Sequence, residues 1–440
     1  MEINNIKKMQ KLIILLALLL TNSFFSQAQE ADFIIKNVSI VTMKDNKVLK
    51  NKMLAVKDGK ITEIGDKINT KAKETIDAKG KFIMPSLSDA HVHFPATEQE
   101  METDLKLNLI NGVTKLRSMR GNWNHVLWRD KFNSSSSYYP KMYFSPPPIS
   151  RNYEVSIPEI SDFVKAAKER KFDFIKILSI KSQPIFKQLD SICKIYKMPI
   201  AGHYPRLASG TELNENILFE SNYSSFEHLG GLAGESTETI ARRIAFLKEK
   251  RFTICPTLSW YSVGSGRYTI EESRNMPGME FISKAKMAEW VEGTNKYREK
   301  MGVAAFNEEV VNELKALDEK YKIIKQLNEA GVPMILSPDA SSKYMVAGFG
   351  VLGEMQLLKN ANLSNYEILK MATVNFSNFF KGNYGTLEVG KDADFILLDT
   401  NPLEDLNTLK KVQGVYYNYH FLDKKALEAM RSDVLIAVEK

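Results

Sequence analysis

Two histidines one residue apart, His91 and His93, close the apolar run that begins at Phe82. Side chains alternate along a strand, so this pair faces one way and Val92 the other. Two imidazoles on one face at a strand end can chelate a metal ion. The same pattern also suits a half-buried strand with two polar residues at its mouth. Further candidates stand in or after later apolar runs: Lys176, His203, His228 and Asp339. Four of the six histidines therefore fall at predicted strand ends. Each residue alone has an ordinary explanation: a hydrogen-bonded structural histidine, a lysine that snorkels from a strand edge, an aspartate that caps a helix. Occurring together in strand order, they point to a metal constellation at one end of a sheet.

Such a constellation needs strands that all end on the same side. After the run 82–93 the sequence predicts strands at 113–119, 141–145, 172–177, 199–203, 224–228, 252–257 and 332–339, with helical stretches such as 160–170, 237–250 and 307–330 between them. This alternation predicts an α/β fold, a (β/α)8 TIM barrel over residues 82–380, whose chemistry sits at the C-terminal strand ends. The excursion 259–300 holds Trp260, Tyr261, Tyr268, Trp290 and Tyr297, and long loops at a barrel mouth often serve as lids or specificity elements. Segment 29–81 is strand-and-turn in texture, with a hairpin signal at Asp58-Gly59. It is too small to bury a core alone. Segment 381–440 has the same texture, with a hairpin expected from 382–389 and 393–399 and a terminal helix from Lys424. Pairing the two ends gives one small β-sandwich module.

Apolar residues make up 44% of the 440-residue chain and charged residues 26%, which excludes global disorder. The net charge of +7 is spread without a dense basic block, so no nucleic-acid partner is expected. Residues 1–28 read as a signal peptide: Lys7, Lys8 and Lys11, an apolar run from Leu12 to Leu20, then Ser26-Gln27-Ala28. That run is too short to span a membrane, and an exported (periplasmic or secreted) protein is expected. Cys193 and Cys255 cannot define a disulfide framework and read as packed thiols.

The order His-x-His, strand-four lysine, two later histidines and a strand-eight aspartate resembles the metal-dependent amidohydrolase superfamily, in its imidazolonepropionase-like and secreted dipeptidase-like branch. The matching stretches include Met84-Pro85 through His93, Phe174-Ile175-Lys176-Ile177, Phe226-Glu227-His228, Gly331-Val332-Pro333 through Asp339, and Gly390-Lys391-Asp392-Ala393-Asp394. The resemblance implies two divalent metal ions, zinc by default. His91, His93 and Asp339 would bind one and His203 and His228 the other. Lys176 would bridge them as a carbamate formed with carbon dioxide. It further implies a metal-activated bridging hydroxide, Asp339 as general base and acid, and His228 beside the scissile carbonyl. The expected activity is hydrolysis of a carbon–nitrogen bond in a dipeptide or N-acyl amino acid.

Three positions depart from the family pattern: Ser86 where glycine is usual, Ser337-Pro338 before Asp339, and Arg117-Ser118-Met119-Arg120 after the second strand. Arg117, Arg120, Tyr204 and Arg206 are candidates to hold a small-molecule substrate, an arginine clamping its carboxylate. The competing expectations are a mononuclear cyclic-amide hydrolase or deaminase, which has no need of Lys176, and a catalytically inactive binding barrel. Homo-oligomerisation stays open.

Overall fold

The computed structural model describes residues 30–134, 137–150, 154–207 and 209–439. The expected signal peptide lies outside them. The chain opens with β1 (Ala31–Val41), β2 (Val48–Lys57), β3 (Lys60–Gly65), β4 (Ala72–Asp77) and β5 (Phe82–Pro85). Asp58 and Gly59 both have positive φ, 50° and 70°, the backbone a two-residue hairpin between β2 and β3 demands. The apolar run containing the histidines is divided at Ser86. Its first half, β5, pairs with β1 in the small module, which therefore extends past the expected boundary at residue 81.

The second half starts a new set: β6 (Leu87–Val92), β7 (Val113–Ser118), β8 (Lys141–Phe144), β9 (Ile175–Ile177), β10 (Ile200–His203), β11 (Tyr223–Glu227) and β12 (Thr253–Cys255). These form two parallel sheets, β6-β7-β8 and β9-β10-β11-β12. Backbone hydrogen bonds link their edges. Ile149 N donates to Lys176 O and Leu178 N to Ile149 O, both at 2.9 Å. On the other side Ile335 N donates to Ile254 O at 2.9 Å and Ala90 N to Leu336 O at 3.0 Å. The arrangement is TIM-barrel-like. The expected eighth strand at 332–339 is not a regular strand; one bridge, Met334 to Ile254, marks it. Pro333 and Pro338 remove two of its donors, so it joins its neighbours through a few hydrogen bonds only. Gly331, at φ 78°, ends the helix Val303–Ala330 just before it, in the left-handed conformation that favours glycine at this position.

The C-terminal strands are β13 (Phe395–Leu398), β14 (Gly414–Tyr417) and β15 (His420–Asp423), followed by the helix Lys424–Glu439. β13 pairs antiparallel with β5 and with β14, so both chain ends share one sheet. The pairing gives one eight-stranded network, β15-β14-β13-β5-β1-β2-β3 with β4 on β1, and the Phe33 ring of β1 packs across it 4.8 Å from Tyr416 of β14 and 5.3 Å from Phe421 of β15. Residues 382–389 form no strand; β13 finds its partners across the sequence instead. The excursion after β12 is helical, with helices Leu258–Gly264, Ile270–Arg274 and Lys284–Met301. Cys193 and Cys255 are both buried and free.

Candidate metal centre

Strand parity sets the first pair. His91 lies near the end of the wholly buried β6 and His93 just beyond it, and their rings lie 5.4 Å apart. Asp339 arrives from the opposite side: its Oδ1 is 3.8 Å from His91 Nε2 and 3.4 Å from His93 Nε2, and its Oδ2 is 4.0 Å from His228 Nε2. Ligand atoms of His91, His228 and Asp339 all lie within 4.8 Å of one another. The His203 ring is 5.0 Å from that of His228. Lys176, buried on β9, acts electrostatically on His91, His93, His203, His228 and Asp339. Of the six residues expected to bind metal, His91, His93 and His228 thus gather around Asp339, His203 lies beside His228, and Lys176 is coupled to them electrostatically.

Two of them depend on unusual backbone. His228 and Asp339 have φ of 63° and 71°, uncommon for residues with a side chain. On β11, Ser225 and Glu227 share the inward face, so regular alternation would send His228 outward. The left-handed step turns it inward instead. Asp339 is held by the departure that precedes it: the Ser337 hydroxyl lies 2.9 Å from His91 O, bonds Asp89, and accepts from Asp339 N at 3.1 Å.

Behind the ring nitrogens stand residues that sequence reasoning did not select. His91 Nδ1 is 2.9 Å from Glu227 Oε2. Glu227 in turn takes Arg117 Nη2 at 2.7 and 2.8 Å and the Ser225 hydroxyl at 2.8 Å. A neutral His91 donating from Nδ1 presents its Nε2 lone pair toward Asp339, the usual outer-shell device of metal-binding histidines. His228 Nδ1 shares a 2.6 Å hydrogen bond with the Thr257 hydroxyl. Glu227 stands in one of the family-like stretches, Phe226-Glu227-His228, but nothing there singles out its carboxylate. The left-handed φ of 49° at Thr257 is not written in its type.

Burial sets the charges. It pushes the His93 and His203 imidazoles down to about 4 and about 3, with Lys176 adding to both, and holds His91 and His228 well below their usual range. Burial lowers Lys176 to about 8 against the pull of Glu227 and Asp339. It raises Asp339 to about 7, with Lys176 opposing. Neutral imidazoles, a carboxylate and a lysine with a neutral fraction near pH 7 make a donor set that fits divalent cations.

The substrate candidates separate. Arg117 is fully buried, its guanidinium bonded to Glu227, Ser225 and Ala90 O; it braces the site from behind, enclosed away from a ligand's carboxylate. Tyr204 is buried beneath the Arg243 guanidinium, 4.9 Å from its ring. Arg206 is exposed, and its backbone pairs with that of Glu212 in its own loop. Arg120 is exposed and close enough to depress His93.

Residues 82–418 match the Amidohydrolase family. The chain belongs to that family. Among its relatives, a 5'-deoxyadenosine deaminase of Methanosarcina acetivorans is 47% identical over 68 residues, 15% of this chain and 16% of that enzyme. The chain thus aligns with a small part of that relative's length. A bottromycin amidohydrolase has a similar fold, with TM-score 0.74 and 19% identity over 92% of this chain and 90% of its own. A Xaa-Pro dipeptidase with methionine bound in its active site gives TM-score 0.65 and 17% identity over 89% and 99%. The family match points toward hydrolysis of carbon–nitrogen bonds. No helix among the described residues is long and apolar enough to cross a membrane.

Proposed function

We propose that this protein is an exported, binuclear metal-dependent amidohydrolase on a closed (β/α)8 barrel, cleaving the amide or peptide bond of a dipeptide or N-acyl amino acid. The observation that carries the reading is the convergence of His91, His93, His228 and Asp339 on one buried point, with His203 and Lys176 beside it. His91, His93 and Asp339 would hold one divalent ion, His203 and His228 a second, and Lys176, carboxylated at Nζ, would bridge them. Ions bound there would supply Lewis acidity and acidify a water. The chain's own residues do the rest. Desolvated Lys176 carries a neutral amine fraction that can attack carbon dioxide. Asp339, with its carboxyl near 7, is matched to taking a proton from the attacking water and returning it to the departing amine. Glu227 and Thr257 fix the His91 and His228 rings, so the site is arranged before substrate enters. The dipeptidase of similar fold supports an amino-acid-like substrate.

A second reading, a mononuclear deaminase, draws on the deaminase name of the short sequence match. Lys176 speaks against it, because a single ion needs no bridge. A panel of dipeptides, N-acyl amino acids and adenosine-type substrates tests the choice, run with wild type and Asp339→Asn. The expected outcome is turnover of the amino-acid amides, reduced roughly 10²–10⁴-fold in the variant. Turnover confined to adenosine-type substrates would move the assignment to the deaminase. No turnover by wild type would make the barrel a binder.

A further inference from the structure

The arginine expected to clamp a substrate carboxylate, Arg117, is spent inside the barrel, yet the mouth holds another unpaired arginine. A cavity of about 240 Å³ lies between the 258–301 excursion and the loop after Asp339. Two of its lining residues reach the metal centre. The Ser342 hydroxyl is 3.4 Å from Asp339 Oδ1, and the Trp260 ring is 5.2 Å from that of His228 while remaining 46% exposed. Tyr268, Phe306 and Tyr344 add aromatic wall. The charged lining side chains are Arg298 and Lys343, and no carboxylate lines the space.

Neither Arg298 nor Lys343 makes an ion pair among the described residues, and the nearby Glu289 is engaged by Lys286 at 2.9 Å. The Arg298 guanidinium packs 4.9 Å from the Phe306 ring and donates from Nη2 to Tyr268 O at 2.7 Å, but its Nε is buried with no partner. Buried donors are rarely left unpaired, and two like charges beside each other are costly without a counter-ion. Such a space, below the roughly 300–1,000 Å³ of drug-sized pockets, suits one amino-acid-sized group.

We propose that this cavity is the specificity subsite of the enzyme, binding the free carboxylate of the substrate on Arg298 and Lys343 and its apolar or aromatic side chain against Trp260 and Phe306. That the ligand is the substrate rests on the hydrolase reading above; the site itself does not. The scissile bond then falls over His228 and Asp339, because Trp260 and Ser342 join the cavity to those two residues. The preferred substrates are dipeptides or N-acyl amino acids with a large apolar C-terminal residue.

The test is binding, read without turnover. 3-Phenylpropanoate and its uncharged counterpart 3-phenylpropan-1-ol are titrated calorimetrically into metal-replete wild type, Arg298→Gln and Lys343→Gln. The expected result is at least tenfold tighter binding of the acid by wild type, with that preference cut at least fivefold in each variant. Lys343 is exposed, so Lys343→Gln carries the test if Arg298→Gln, which also loses the bond to Tyr268 O, fails to fold. Equal binding of acid and alcohol, or no binding of either, overturns the proposal. So does an acid preference that survives Lys343→Gln and any folded Arg298→Gln, since the carboxylate would then sit on the metal centre. An inactive protein that still shows the Arg298- and Lys343-dependent preference would sink the hydrolase reading and leave the site standing.

Discussion

Two clusters of buried ionisable groups occupy opposite ends of the TIM-barrel-like domain, and β7 contributes to both. At the N-terminal end Lys115 pairs with Asp394, both nearly inaccessible, and Thr114 completes the bonding at 3.1 and 3.3 Å from the carboxylate oxygens and 2.9 Å from the ammonium. The Ser86 hydroxyl joins the same carboxylate, and the rings of Tyr384 and Tyr417 lie 4.4 and 5.1 Å from Lys115 Nζ. An amine and a carboxyl answer each other there, burial holding the Lys115 amine well below its usual range, and because Asp394 precedes β13 the pair latches the small module to the barrel-like domain. Two residues along, Arg117 points into the other end. There imidazoles, Lys176 and Asp339 crowd together without forming a closed set, and Asp89 keeps a buried carboxyl oxygen with no partner among the described residues. The closed cluster holds domains together. The open one is organised to receive charge from outside, and its satisfied hydrogen bonds lie behind the ligand atoms.

That difference can be broken at several places. The largest effect on stability is expected at the latch. Lys115→Met strands Asp394 in the interior and should cost about 3–5 kcal/mol, read by urea unfolding, while activity per folded molecule stays near wild type. A matching loss of specific activity would mean that the two ends are not separable.

The next effect is a pH dependence in the support of the open end. Glu354 is fully buried and accepts from Leu258 N at 2.8 Å and Ser259 N at 2.6 Å, fixing the chain just after Thr257. Desolvation raises its carboxyl from 4.5 to about 7, with the bonds from Ser259 and Leu258 opposing. Between those pH values the folded protein holds a proton the unfolded chain has released, so stability falls as pH rises through the window and levels off above it. The gap between wild type and Glu354→Gln should therefore move against wild type by on the order of 3 kcal/mol from pH 4.5 to 7. A gap that does not change with pH would show that this carboxylate is already ionised in the fold at low pH.

Thr257→Val comes last. It removes only the hydroxyl behind His228 and should lower metal affinity or activity roughly 10–100-fold, measured by metal titration, with little loss of stability. An unchanged titration would show that the His228 ring is positioned by packing alone.

How far the site could be read from sequence follows the same division. His91 and His93 were legible because strand parity alone places them, and His203, His228, Lys176 and Asp339 because they stand at strand ends in order. The supports were not. Arg117 and Glu227 are 110 residues apart, and no local pattern announces that one consumes the other; read locally, Arg117 at a strand end looked like a substrate clamp. The positive φ of His228, Thr257 and Asp339 is imposed by tertiary packing. The small module failed differently: 382–389 has hairpin texture, but β13 takes its partners from β5 and β14. Ser86 and Ser337, visible only as departures, prove to bond Asp394 and Asp89, one at each end of the barrel.

The central claim is that the open cluster is completed by two metal ions that share Lys176. Elemental analysis of purified wild type and Lys176→Ala, after dialysis against trace divalent metal, tests it most directly. The account predicts two ions per chain in wild type and one or fewer in the variant, with the fold retained. One ion in both proteins would contradict it.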